Sequence, residues 1–338
     1  MKPITCLFIS MLFLGANLFA QIPGMTSTQI SSSSDGTSLG SNDTLAYSGI
    51  ALGNAVKLRG YVDFIFNYDD LEGGAQNESF STASDVDFLF DMSPVTAELH
   101  IAMDKDDIGM EQAFGRYSFN QDFHLTFGRQ LTVLGYEADE APGLYAVTNA
   151  YYYNDDGNTT SPTSYRRNYK DGARLNFNNG QFGLTLGLHD GYWANDDFNS
   201  DNIAIDLAAS MMIIPGLEAQ LGYAHEEIDS ANSDVSQFNA WVAYSPNDLT
   251  LALEYDNFDI LADDYWALML LANYQFVDWM AATLRYSHED YNDSEADRIT
   301  LALLFTITDN LFFNVEYSTT DADAGDYDEF YVEGLLTF

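Results

Sequence analysis

The chain has 338 residues, with 52 acidic against 12 basic side chains and a formal net charge of -40. So few cations cannot clamp a phosphate backbone, which excludes nucleic acid as a partner. Aromatic residues make up 14% and Pro numbers only 7, which excludes a disordered chain and suits pleated strands.

Residues 1–20 set Lys2 before an apolar run from Ile4 to Leu14, and small or neutral residues lead on to Ala20. That order predicts a secretory signal peptide, cleaved before Gln21. The run is shorter than the roughly 20 apolar residues that a spanning helix needs. Cys6, the one cysteine, lies inside it, so the exported chain is expected to hold no disulfide and no thiolate metal site. Residues 21–55 are rich in Ser, Gly and Thr, with four serines at Ser31–Ser34, and are expected to form a flexible lead-in or a small plug.

From Val56 to Phe338 the chain alternates apolar with polar or small residues in segments of about ten. In Leu249–Asp256, Leu249, Leu251, Leu253 and Tyr255 share one face, opposite Thr250, Ala252, Glu254 and Asp256. Strand side chains alternate with period two, so each segment is a strand with one apolar face. We count sixteen, near 56–68, 84–92, 95–104, 110–119, 122–131, 166–178, 181–192, 202–213, 216–227, 235–245, 248–258, 264–276, 279–289, 296–307, 310–320 and 327–338. Fourteen remain open, because 84–104 could be one long strand. Every second connection is a tight turn, such as Asn178-Asn179-Gly180 or Pro215-Gly216. The others are longer and acidic, as at 69–83, 193–201 and 290–295, and the longest is 132–165. Short turns at one end and long loops at the other are the layout of an all-β, up-and-down antiparallel barrel in an outer membrane.

The apolar faces would meet lipid, and tyrosines such as Tyr223, Tyr244, Tyr255 and Tyr286 would sit at the interface. The last strand carries Phe330, Val332, Gly334, Leu336 and Phe338 on one face. A terminal Phe on such a strand resembles the ends of bacterial outer-membrane barrels, where it serves recognition by the barrel-assembly machinery.

Residues 127–153 read FGRQLTVLGYEADEAPGLYAVTNAYYY, and an early strand reads Gly60-Tyr61-Val62-Asp63. A strand ending in Gly and a basic residue, then Leu-Gly-Tyr-Glu, then an aromatic run, resembles the beta-barrel porin-2 family of bacterial porin-like proteins. The resemblance implies a channel in the bacterial outer membrane. Likeness to sixteen-stranded porins adds a homotrimer and a third extracellular loop, here 132–165, that folds into the pore. Its acids Glu137, Asp139 and Glu140 would then line a constriction.

On alternation, Arg59, Arg116, Lys170, Arg174 and Arg285 face inward, while Arg129 is left open, since its parity places it on the outer face near a strand end. Asp63, Asp91, Glu98, Asp206, Glu254, Glu316 and Glu333 also face inward. Loop acids opposite wall bases would set a transverse field, and the surplus of acids favours cations. The expected activity is passive diffusion of small hydrophilic solutes and cations. The rival is a structural or adhesive barrel whose acidic loops bind surface polymers or divalent cations. Asp321, Asp323 and Asp326 lack the spacing of a calcium loop, and His100, His124 and His189 lack zinc spacing. No cofactor, metal or catalytic residue is expected, since no G-x-S-x-G, H-E-x-x-H or phosphate-cradling loop is present.

Overall fold

Along Leu249–Asp259 the even positions are buried while the odd ones turn outward, so the sequence alternation becomes two faces. The same two-residue rhythm runs along Ala204–Met211 and Asn314–Ala322. The computed structural model describes residues 49–71, 76–151, 168–193, 204–228, 233–260, 263–291, 294–323 and 325–338. The expected signal peptide and nearly all of the lead-in lie outside them.

After a two-residue strand, β1 (Ile50–Ala51), come β2 (Val56–Leu71), β3 (Gln76–Met92), β4 (Val95–Asp104), β5 (Ile108–Ser118) and β6 (Phe123–Leu131). The chain then makes β7 (Tyr169–Asn178), β8 (Phe182–His189), β9 (Ala204–Ile214), β10 (Leu217–Ile228), β11 (Ser233–Tyr244) and β12 (Leu249–Ile260). It finishes with β13 (Asp263–Val277), β14 (Met280–Tyr291), β15 (Ser294–Thr306), β16 (Leu311–Ala322) and β17 (Tyr327–Thr337). Each pairs antiparallel with its neighbour, and β17 returns to β2 with Tyr327 opposite Leu71 and Thr337 opposite Tyr61. The result is a closed barrel of sixteen antiparallel strands, β2 to β17, with no free edge. Residues 84–104 are two strands joined at Ser93-Pro94, which rules out the count of fourteen.

The outer face is the apolar one. Leu184, Leu186, Leu207, Leu253, Ile299 and Leu301 stand in the open, as a band facing hydrocarbon requires. At one end the turns are short. Asn179 Oδ1 accepts the amides of Gln181 and Phe182, and Gly180 takes φ 84°, a left-handed conformation that glycine adopts without strain. The chain end lies at this same rim, where Phe338 exchanges backbone hydrogen bonds of 2.9 Å with Gly60. Beyond it β1 continues the edge, Ile50 opposite Leu58, so the last residues of the lead-in join the barrel.

Several expected loops are instead strand. Most of 69–83 belongs to a hairpin paired down to Asp70–Gln76, and 290–295 is likewise mostly ladder. Alternation failed there because Gln76–Ala83 is polar or small at almost every position and stays exposed. Past the hydrocarbon band neither face has to be apolar, so the pattern fades while backbone pairing continues.

Candidate functional site

The connection after β6 turns into the barrel. At its neck Thr132 donates to the Asn168 carbonyl and accepts the Asn168 amide, both at 2.9 Å. Arg174 holds the Leu131 carbonyl at 2.6 Å, at the point where the chain leaves the wall. Val133 and Leu134 then pack with Tyr192, Ala204, Ala208 and Ala224. Gly222 on β10 makes room for them: a Cβ there would sit 2.1 Å from Leu134 Cδ2. Gly135, at φ 111°, aims its amide at Asn239 Oδ1, and the next amide, of Tyr136, meets Glu254. Tyr136 lies edge-on to Trp241 and is joined by Tyr145 in an apolar patch with Ala243, Ala252, Met269 and Leu271.

The returning limb is held by charge. Glu316 on β16 accepts the amides of Val147 and Thr148, at 2.6 and 3.0 Å, and the Thr148 hydroxyl. Arg285 on β14 donates to Glu137 at 2.6 Å and to the carbonyls of Thr148 and Asn149. Glu137 also accepts the Ala150 amide, and Ser287 donates to the Ala150 carbonyl. Arg298 bridges Glu329 at 2.8 Å and reaches Thr148. Hydrogen bonds between charged and neutral groups inside a low-dielectric interior are the stronger kind, and here they are many. The two limbs of the stretch 132–151 are therefore fixed against the wall from β10 to β16, while its tip crosses to Tyr169 on β7 and His100 on β4. The remainder of the expected loop, 152–165, lies outside the described residues.

These placements revise the expected site. Glu137, expected to line water opposite basic residues, is fully buried and bound to Arg285. Arg116 and Arg174, expected in open lumen, are fully buried too; Arg116 lies 4.0 Å from Glu98 and over the Phe114 ring. Glu137 is itself part of the loop docked on β14, Arg174 supports the loop's neck through the Leu131 carbonyl, and Arg116 is enclosed by its own wall neighbours, so none of the three faces the open water that alternation assigned to it. Glu254, Glu316 and Asp206 are buried likewise, Asp206 3.2 Å from His189. Asp139 stays exposed, with its carboxylate held by the Tyr169 hydroxyl, and Glu140 is half-buried at the loop tip. Lys170 is half-buried on the inner face of β7. Inward positions of β2 keep some exposure at Arg59, Tyr61, Ile65, Asn67 and Asp69. Arg59 grips Asp87 at 2.6 Å, while Asp63 is buried beside Glu333. Asp91 stands exposed at the short-turn rim. Arg129 does face outward, 3.6 Å from Asp171 on the next strand.

Other residues belong to the site without having been expected there. Arg298, Thr283 and Ser287 were inward by alternation, but nothing in the sequence marked them as loop anchors. A usable signal was the apolar character of both faces of β13, where inward Met269 and Leu271 alternate with outward Leu268 and Leu270. A lumen wall needs no such residues unless something docks on it. His100 is no isolated polar residue: it lies 2.9 Å from Asp87 and 3.0 Å from Glu98. Asp321 and Asp323 are divided between a strand pair with Asp297 and a cap on the Glu295 amide.

Neither a protein-family model nor a curated protein sequence matches the chain. Solved structures match its fold. OmpF of Salmonella typhi, in complex with daunomycin, superposes with a TM-score of 0.62 at 14% identity, over 86% of this chain and all of that one. The anion-selective porin from Comamonas acidovorans gives 0.59 at 16% identity, over 84% and 99%. OmpT, an outer membrane protein of Vibrio cholerae seen in a trimer form, gives 0.58 at 14% identity, over 84% and 100%. The chain is similar to these in its barrel.

Proposed function

We propose that the chain is a porin of the bacterial outer membrane, passing small hydrophilic solutes by passive diffusion with a preference for cations. The single observation that carries the preference is the unequal access of the charges. Arg116, Arg174, Arg285 and Arg298 are each 1% exposed or less, whereas Asp139 at the loop tip is exposed; Arg59 and Glu140, both partly exposed, each lie beside a group of opposite charge, Asp87 and His100. Anion attraction from the wall is thereby muted, and the tip carboxylates act in an opening bordered by β2. The loop sets the size limit by lying along the β10–β16 side of the lumen and reaching across it with its tip. A chain-wide charge of -40 adds a field that gathers cations at the mouth.

The outer membrane as its location, lipid as its surroundings and recognition of the Phe338 strand by the assembly machinery complete the reading. So does a homotrimer, as in one form of the Vibrio OmpT. Membership of the beta-barrel porin-2 family rests on the resemblance of residues 127–153. Liposome swelling tests the activity. Vesicles carrying the refolded protein should swell in isotonic small sugars, and faster with small organic cations than with anions of equal size. Vesicles that stay shut, although the barrel is folded, would favour an adhesive or structural barrel.

A further inference from the structure

The loop tip meets the wall at β3 to β5, where carboxylates crowd together. Asp85 on β3, Glu111 on β5 and Glu140 on the loop each bring an oxygen within 4.8 Å of the others. The bases nearby are engaged by other acids. Arg59 holds Asp87, His100 lies between Asp87 and Glu98, and His100 comes no nearer to Glu140 than 3.8 Å. Asp85 is 1% exposed, yet no N–H or hydroxyl donor among the described residues meets its oxygens, whose polar neighbours are the carboxyl groups of Asp87 and Glu111, and Glu111 Oε2 likewise meets no such donor. Burying a carboxylate without a donor or a counter-charge is costly, and three around one point leave a place for a cation.

The backbone is shaped to bring them there. Alternation along β5 sends Gln112, Phe114 and Arg116 inward, so Glu111 should face lipid. Instead the ladder runs from His100 opposite Gln112 to Ile101 opposite Met110, which leaves Glu111 as the extra residue of a β-bulge. Bulges turn one side chain away from the strand's own rhythm. Here it joins Asp85 on the inner face.

We propose that Asp85, Glu111 and Glu140 bind one hard divalent cation, best suited to calcium, which ties the loop tip to β3 and β5. All-oxygen, carboxylate-rich donor sets favour such ions over zinc or copper, and calcium tolerates irregular cages better than magnesium does. The site shares Glu140 with the filter of the porin reading, but its test measures binding and not conduction, so the two fail separately.

The test uses the refolded chain in detergent, stripped by a chelator. Ca2+ is titrated by calorimetry, and Tb3+ by luminescence excited through tyrosine, since Tyr61 lies close to all three carboxylates. One saturable Ca2+ site per chain is expected, weakened at least about ten-fold by Glu140→Gln and lost in the double variant Asp85→Asn, Glu111→Gln. Asp106→Asn, in an exposed connection, should leave it unchanged. No saturable Ca2+ binding would overturn the proposal, and so would a site that survives in the double variant. If that variant fails to fold, Glu140→Gln on the loop decides the matter alone: undiminished affinity overturns the proposal.

Discussion

Glu137 and Arg285 lie 148 positions apart and meet at 2.6 Å with almost no exposure. Each was legible as an inward charge, since a strand's parity or a loop's acidity is enough for that. Their pairing was not, because a loop's path depends on contacts far away in sequence. The pair carries a clear expectation. Arg285→Ala leaves a buried carboxylate without its cation and releases two backbone carbonyls, at a cost of about 3–5 kcal/mol. The cost should fall on the loop, because the barrel ladder is untouched. Limited proteolysis should then cut near residues 145–151 far faster than in the unmodified protein. Unchanged resistance would mean that the apolar contacts of Tyr136 and Tyr145 hold the loop without the ion pair. Gly222→Val makes the complementary test, since its side chain would displace Leu134 and shift the loop from the opposite end. A larger single-channel conductance is expected. Glu111 shows where residue-level reading ends: one inserted residue reversed its direction, and bulges leave no mark in an alternation pattern.

Among the elements, the strands were the most readable. Every one of the sixteen counted segments became a strand of the barrel, because lipid demands an apolar outer face across the whole hydrocarbon depth. Their ends were less readable, as the β2–β3 hairpin shows, since outside the bilayer that demand lapses. The lipid face gives a direct check. Leu253→Arg places a charge on the outer face of β12 and should destabilise the barrel by about 2–4 kcal/mol near the bilayer middle. Thr250→Ala, on the inner face of the same strand, should cost much less. Denaturant unfolding in lipid vesicles measures both, and equal costs would contradict the assignment of faces.

For the whole molecule, closure and charge act together. The barrel fixes a lumen, the docked loop covers Arg285 and Arg298, and Arg116 and Arg174 are buried among the side chains of the wall and the loop's neck. The composition announced the acidity but not which charges water can reach, because exposure follows from the loop's docking. Selectivity that arises from accessible carboxylates must also weaken with salt. Raising ionic strength from about 0.1 M to about 1 M shortens the screening length from about 10 to about 3 Å. Cation preference should fall accordingly, and a preference indifferent to salt would point to steric selection instead. The most direct test is the reversal potential of single channels in a planar bilayer with a salt gradient, for the unmodified protein and for Asp139→Asn, Glu140→Gln. The account predicts discrete conductance steps whose reversal potential favours cations, with that bias markedly reduced in the double variant. Steps that favour anions, or a bias that the variant leaves unchanged, would contradict it.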